Sequence, residues 1–355
     1  MFATLRKHPV ALAVRLLGAN SHDFLSNRNL SSRNPRPSPL DRRGRTVVTR
    51  HRGMAARPGG RSAQFGLRAG LCYHETMVVL VVGVILVGLS WIAAWGPFGV
   101  FSEHSFFPLW LGYILTINGL SQVLFKRSLL ESMGWSFLLL FVISIPLWWF
   151  FEGMNAIVQN WHYHFVHPIS AMNYFIQASI DFSTVVPAVL SASFFLAFVL
   201  QKSGRDWPKW RPRVTDARLA GSVLLGLGCF SLLPLFPDET FPLVWIAPIL
   251  ILEPMAFSIG YPALIADIRK NGWMRLFSIM AATVITGFFW EMWNYYSLPK
   301  WTYTVPYVGF WKVFEMPFFG YFGYPFFGII IFSYAAIAIK LMRRQNLLDM
   351  FPNAA

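Results

Sequence analysis

The chain has 355 residues, of which 55% are hydrophobic, 17% aromatic and only 13% charged, with a mean hydropathy of +0.48. A soluble domain carries roughly 25% charged residues, so this composition excludes an ordinary soluble fold and indicates a polytopic membrane protein. The net charge of +14 would suit a nucleic-acid partner, but 14 of the Lys and Arg residues fall in residues 1–76 against three acids and the rest of the chain is nearly balanced, which argues against that partner.

Residues 1–76 are rich in Arg, Ser, Pro and Gly, show no sustained apolar period and are expected to form a disordered basic tail. Three origins compete for it: sequence read from a start set ahead of Met54 or Met77, an Arg-rich and acid-poor organelle transit peptide, or a basic arm that touches anionic headgroups.

From Met77 onward, apolar runs recur at 77–97, 106–125, 133–152, 172–200, 219–236, 241–260, 274–293 and 314–340. Each is near the roughly 20 residues that cross a bilayer as helix. The pattern predicts an all-α integral membrane fold of about eight transmembrane helices. Pro146, Pro187, Pro248, Pro254 and Pro325 lie in these runs, where kinks are expected. Lys126 and Arg127, the basic stretch from Lys202 to Arg218, Arg269 to Arg275, and Lys340 to Arg344 share one side of an eight-span arrangement. The positive-inside rule then places both termini in the cytoplasm, most simply of a bacterial inner (plasma) membrane. Cys72 and Cys229 have no metal-type or disulfide-framework spacing.

The chain also repeats. Phe151-Glu152-Gly153-Met154-Asn155, followed by Trp161-His162-Tyr163, returns 139 residues later as Trp290-Glu291-Met292-Trp293-Asn294, followed by Trp301-Thr302-Tyr303. Phe107-Pro108-Leu109-Trp110 resembles Phe241-Pro242-Leu243-Val244-Trp245, and Gly134-Trp135 recurs as Gly272-Trp273. Two four-helix repeats, 77–201 and 219–345, joined by a cytoplasmic linker at 202–218, are therefore expected. An even number of crossings gives both the same orientation, related by a pseudo-twofold axis along the membrane normal.

Five carboxylates fall within or beside the spans: Glu152, Asp181, Glu253, Glu291 and Glu315. A charge at the bilayer centre costs about 2.5–3.5 kcal/mol on insertion scales, so these are expected to face the bundle interior as a substrate or proton site. Glu152 and Asn155 share a helix face at i, i+3, as do Glu291 and Asn294. Asn118 falls near the counterpart of Glu253, and Gln177 opposite Glu315. The bland alternative makes the motif structural, with the Glu accepting from the loop and Trp-x-Tyr as an interfacial belt. His162, His164 and His167 have ligand-like spacing, but the second copy has no histidine, so neither a metal nor another cofactor is expected.

The order Glu291, Trp301-x-Tyr303, then Phe314-Glu315-Met316-Pro317 with Phe318, Phe319 and Tyr321, resembles lycopene-cyclase-type membrane proteins over some 30 residues per half. The family's Pro-x-Glu-Glu type motif is replaced here by a single Glu315 ahead of Pro317. The chain as readily resembles an uncharacterised bacterial polytopic membrane family. The cyclase resemblance implies acid catalysis on an isoprenoid or other lipid, with Glu291 and Glu315 as acids. Trp290, Trp293, Trp301 and Tyr303 would line the pocket, with Trp161, Tyr163, Asn118, Asn155 and Asn294 as further substrate contacts. Membrane lipids and a hydrophobic small molecule are the expected partners. Two other classes compete: a proton-coupled transporter or lipid-binding module, and a structural membrane subunit.

Overall fold

The computed structural model describes the backbone of residues 60–353 and the side chains of residues 76–353, so residues 1–59 of the tail expected over 1–76 lie outside the described residues. The chain divides into two units, Met1–Leu71 and Cys72–Ala355, and the second contains the membrane-crossing stretches and the described strands. Helix α1 (Gly60–Trp95) already begins inside the stretch read as tail.

In chain order the helices are α1, a short α2 (Val100–Glu103), α3 (Phe106–Phe125), α4 (Leu129–Met133) and α5 (Leu138–Val158), with a 3-10 turn at Gly134–Phe137 between the last two. Strand β1 (Trp161–His164) follows, then α6 (Ala171–Phe182) and α7 (Val185–Lys202). The second half holds α8 (Asp216–Leu232), α9 (Pro237–Thr240), α10 (Leu243–Ser258), α11 (Leu264–Asn271) and α12 (Met274–Asn294). It ends with β2 (Lys300–Tyr303), β3 (Lys312–Val313), β4 (Met316–Pro317), a 3-10 turn at Phe318–Phe322 and α13 (Gly323–Arg343).

Among the described residues, six stretches are long and apolar enough to cross a membrane: Thr76–Trp95, Phe106–Phe125, Leu129–Val158, Ala171–Lys202, Met274–Asn294 and Phe318–Arg343. The protein is therefore mostly helical and membrane-embedded. The other two expected spans are also helices, but α8 and α10 have only 17 and 16 residues. At 1.5 Å per residue they reach about 24–26 Å, short of a hydrocarbon core near 30 Å.

Local chemistry explains several joints. Pro187 cannot donate a backbone hydrogen bond, and the helix breaks just before it, at Ser183 and Thr184. The Ser144 hydroxyl on α5 bridges the break, accepting from the Val186 N–H at 3.1 Å and donating to the Phe182 carbonyl. Such repair is what a lipid environment demands of freed backbone groups. Gly112 on α3 lets α1 approach closely, since a Cβ there would stand 2.7 Å from the Val87 nitrogen.

Two short helices start in the same way. The Leu130 N–H of α4 donates to Asn118 Oδ1 at 2.8 Å, and the Ile265 N–H of α11 donates to Glu253 Oε2 at 2.9 Å. Each side chain comes from the preceding long helix and takes up an otherwise orphaned N–H group. Further along, Arg275 at the start of α12 is buried in an ion pair with Asp267 and donates to the Phe351 and Pro352 carbonyls, which fastens the C-terminal segment.

Strands β1 and β2 pair antiparallel with Trp161 opposite Tyr303 and Tyr163 opposite Trp301. The register is symmetric about His162 and Thr302. Aromatic packing crosses between the halves in both directions: Trp110 of α3 lies against Trp290 of α12 at 5.2 Å, and Trp245 of α10 stacks on Phe151 of α5 at 5.1 Å.

Candidate functional site

The two Glu-x-x-Asn motifs divide the work within each copy. Asn155 Oδ1 accepts from the Trp161 N–H at 3.1 Å, while its amide donates to the Trp161 carbonyl at 2.8 Å. Asn294 treats Trp301 identically, at 2.8 and 2.7 Å. Each Asn thus pins the strand that follows its helix. The carboxamide suits this task because it offers a donor and an acceptor side by side, whereas a carboxylate only accepts.

The carboxylates reach the side chains of those same strands. Glu152 Oε1 accepts from Tyr163 Oη at 2.6 Å, Trp148 Nε1 at 2.9 Å and Trp161 Nε1 at 3.1 Å. Glu291 Oε1 accepts from Tyr303 Oη at 2.7 Å and Tyr324 Oη at 2.6 Å, and Tyr303 Oη in turn accepts from Trp301 Nε1 at 2.8 Å. Glu291 is 0% exposed, and its Oε2 has no partner among the described residues. Burial first, and then the neighbouring carboxylate, pushes the hydroxyls of Tyr163 and Tyr303 well above the ordinary tyrosine value, so both stay protonated as donors.

Between the two motifs lies a cavity of about 140 Å³. Its wall includes Trp148, Trp161, Trp290 and Trp301, together with Tyr163, Tyr303 and Tyr324. Trp148 and Trp290, one from each half, stack directly on each other in its wall at 5.3 Å. Five of the wall rings, Trp148, Trp161, Tyr163, Tyr303 and Tyr324, bind Glu152 or Glu291 by their polar ends, and the two carboxylates lie behind the wall.

The five acids expected to converge on one site separate into four placements. Glu152 and Glu291 stand behind the aromatic wall. Asp181 is on the wall and accepts from the backbone N–H of Phe107, at the start of α3, where a helix N-terminus favours a carboxylate. Glu315 is not free to act as an acid: Lys300 Nζ, which also donates to the Tyr295 carbonyl, pairs with it at 2.6 Å. Glu253 is spent on capping α11 and accepting from Ser333, and takes no part in the cavity wall. Asn118 is likewise corrected from a substrate contact to a capping residue, bound to Ser191 and the Leu130 N–H. Trp293 and Asn294 reach the wall, whereas Asn155 does not.

Trp-x-Tyr packs beside the carboxylates in both copies. His162 and His164 are exposed, with ring nitrogens 2.7 Å from the hydroxyls of Thr304 and Thr302 respectively. Among the described residues no group of three or more His, Cys, Asp or Glu could hold a metal ion. Sequence reading missed Tyr324 and Trp148. Tyr324 had a readable signal: it immediately precedes Pro325, the counterpart of Pro187, and Gly287 has no Cβ to keep its ring away, since one there would stand 2.6 Å from it.

Comparison of the chain with protein-family models, curated proteins and solved structures finds no match.

Proposed function

We propose that this chain is an integral membrane enzyme that holds the unsaturated end of an isoprenoid or other lipid in the aromatic cavity and protonates it from Glu291 through Tyr303 or Tyr324. The observation that carries this reading is the zero-exposure Glu291, with two wall hydroxyls on one oxygen and nothing on the other. A hydroxyl both donates and accepts, so it can pass a proton from the carboxyl to an alkene carbon. The cation so formed would face indole and phenol rings, each worth about 0.5–2 kcal/mol of cation–π attraction. Ring closure and loss of a proton from the adjacent carbon complete an isomerisation that needs no oxidant.

A cavity of about 140 Å³ is smaller than the roughly 300–1,000 Å³ that buries a drug-sized ligand. It suits the end of a long chain, with the remainder in lipid. Expression in a host that accumulates linear unsaturated isoprenoids tests the reading. New cyclic isomers are expected with the natural sequence and not with Glu291→Gln; an unchanged hydrocarbon profile with the natural sequence would sink it.

The proposed architecture is two parallel four-helix repeats crossing eight times, α8 and α10 included, with both termini in the cytoplasm of a bacterial inner membrane. The symmetric β1–β2 register, the identical Asn155 and Asn294 bonds and the matching caps on α4 and α11 support it. A non-catalytic lipid-binding module is the second reading, favoured by the position of Glu152 and Glu291 behind the wall. It predicts saturable lipid binding with no new product in the same host.

A further inference from the structure

The composition of the cavity defines a ligand more narrowly than its apolarity does. Its rings are tethered by their polar atoms to the carboxylates behind them: the Tyr163, Trp148 and Trp161 donors to Glu152, and the Tyr303 and Tyr324 hydroxyls to Glu291. What an occupant meets is mostly ring carbon, with the carboxyl groups of Glu152 and Glu291 layered behind it and Trp293 Nε1 on the wall without a partner among the described residues. Asp181 and Glu103 add two further acids to the wall. Lys300 is the cation on the wall, and it is already held by Glu315 and the Tyr295 carbonyl. Glu291 Oε2, buried without a partner among the described residues, has no compensating positive group there. Among the described residues no group of three or more His, Cys, Asp or Glu is placed to replace the water of a metal ion. A cation sheathed in methyl groups suits such a wall, since it loses little hydration and binds ring faces.

We infer that the cavity is an aromatic cage for an organic cation, a trimethylammonium or tetramethylammonium group. The inference rests on the proposed function's premise that positive charge is held in this cavity. It adds that a stable ligand of that charge and shape binds there without any reaction.

A polar cleft adjoins the cavity and supplies space for what the ammonium carries. It shares Glu103, Gln177, Asp181 and Pro299 with the cavity and adds His104, His167 and Asn173. An ammonium seated among the rings would therefore leave a hydroxyl or phosphate substituent among groups able to hydrogen-bond it. Free choline-type cations and the phosphocholine headgroup of a lipid both present this chemistry.

The test is a titration of the full-length protein in detergent, read by intrinsic tryptophan fluorescence. Choline is compared with its uncharged isostere 3,3-dimethyl-1-butanol. Saturable quenching by choline, at least tenfold tighter than by the isostere, is expected, and Trp148→Leu and Trp290→Leu should each weaken it at least tenfold. Equal binding of the isostere would overturn the inference, because the cavity would then be merely apolar. So would the absence of saturable binding, or choline affinity unchanged in both variants. The isostere comparison needs no variant and stands even if a substituted protein does not fold.

Repeating the titration in vesicles separates the two sources. Choline binding abolished by phosphatidylcholine and retained in phosphatidylglycerol identifies a lipid headgroup, whereas binding retained in both identifies a free cation. Failure of the isomerisation assay with choline binding intact removes the proposed reaction alone. Absent choline binding with intact isomerisation removes the cage alone.

Discussion

The Glu152 and Glu291 sites share a Glu-x-x-Asn and a Trp-x-Tyr but give their carboxylates different donors, since Trp161 binds Glu152 directly and Trp301 binds Tyr303. In the first half the third group on the carboxylate wall is Trp148, one helical turn ahead of Glu152 on α5. In the second half the equivalent position is Gly287, and the space it leaves admits Tyr324 from α13. An indole N–H can only donate, whereas a phenol hydroxyl donates and accepts. One exchange of bulk between neighbouring helices thus gives Glu152 one phenol and two indole donors, whereas Glu291 has two phenols on one oxygen. The two motifs keep their Asn bonds alike while their carboxylates take different donors.

The largest expected effect tests that difference. Glu291→Gln should lower isomer formation by about 100-fold, the scale of one general acid, while Glu152→Gln should cost less than about tenfold. Equal losses, measured as product per unit of folded protein, would make the two halves chemically equivalent. Next, Gly287→Ala places a methyl group against the Tyr324 ring and should destabilise by about 1–3 kcal/mol through overpacking. Trp148→Phe, which removes the N–H donor to Glu152 and part of the ring packed against Trp290 and Phe182, should cost about 1–3 kcal/mol. Thermal unfolding in detergent would rank the two.

Where the halves are alike, their variants should be too. Asn155→Ala and Asn294→Ala each delete the same two bonds to a strand and should each cost about 2 kcal/mol; a difference of more than about 1 kcal/mol would contradict the parallel. The smallest effect is expected at the opposite end of the helices. Glu253→Gln keeps an oxygen for the Ile265 N–H and should leave isomer formation unchanged, with a stability loss of about 1 kcal/mol or less. A large loss of activity there would return Glu253 to the chemistry from which its hydrogen bonds remove it.

Periodicity and composition determined the membrane class and the positions of the helices, because a bilayer requires long apolar runs with satisfied backbones and few charges. Phe106–Phe125 and Met274–Asn294 fall where the apolar runs place them. The recurrence of Glu-x-x-Asn and Trp-x-Tyr was equally legible, and Trp161, Tyr163, Asn294, Trp301 and Tyr303 from it lie on the cavity wall, whereas Trp148 and Tyr324 were not singled out. The sequence could not rank the five acids, since a carboxylate that caps a helix, one that pairs with a lysine and one that anchors a tyrosine are written with the same letters. Only tertiary structure separated Glu253 and Glu315 from Glu152 and Glu291, because the partners lie 12 to 80 residues away in the chain. The pairing of β1 with β2 and the entry of Tyr324 over Gly287 were decided there as well. Both depend on how helices remote in sequence approach one another, which local pattern does not encode.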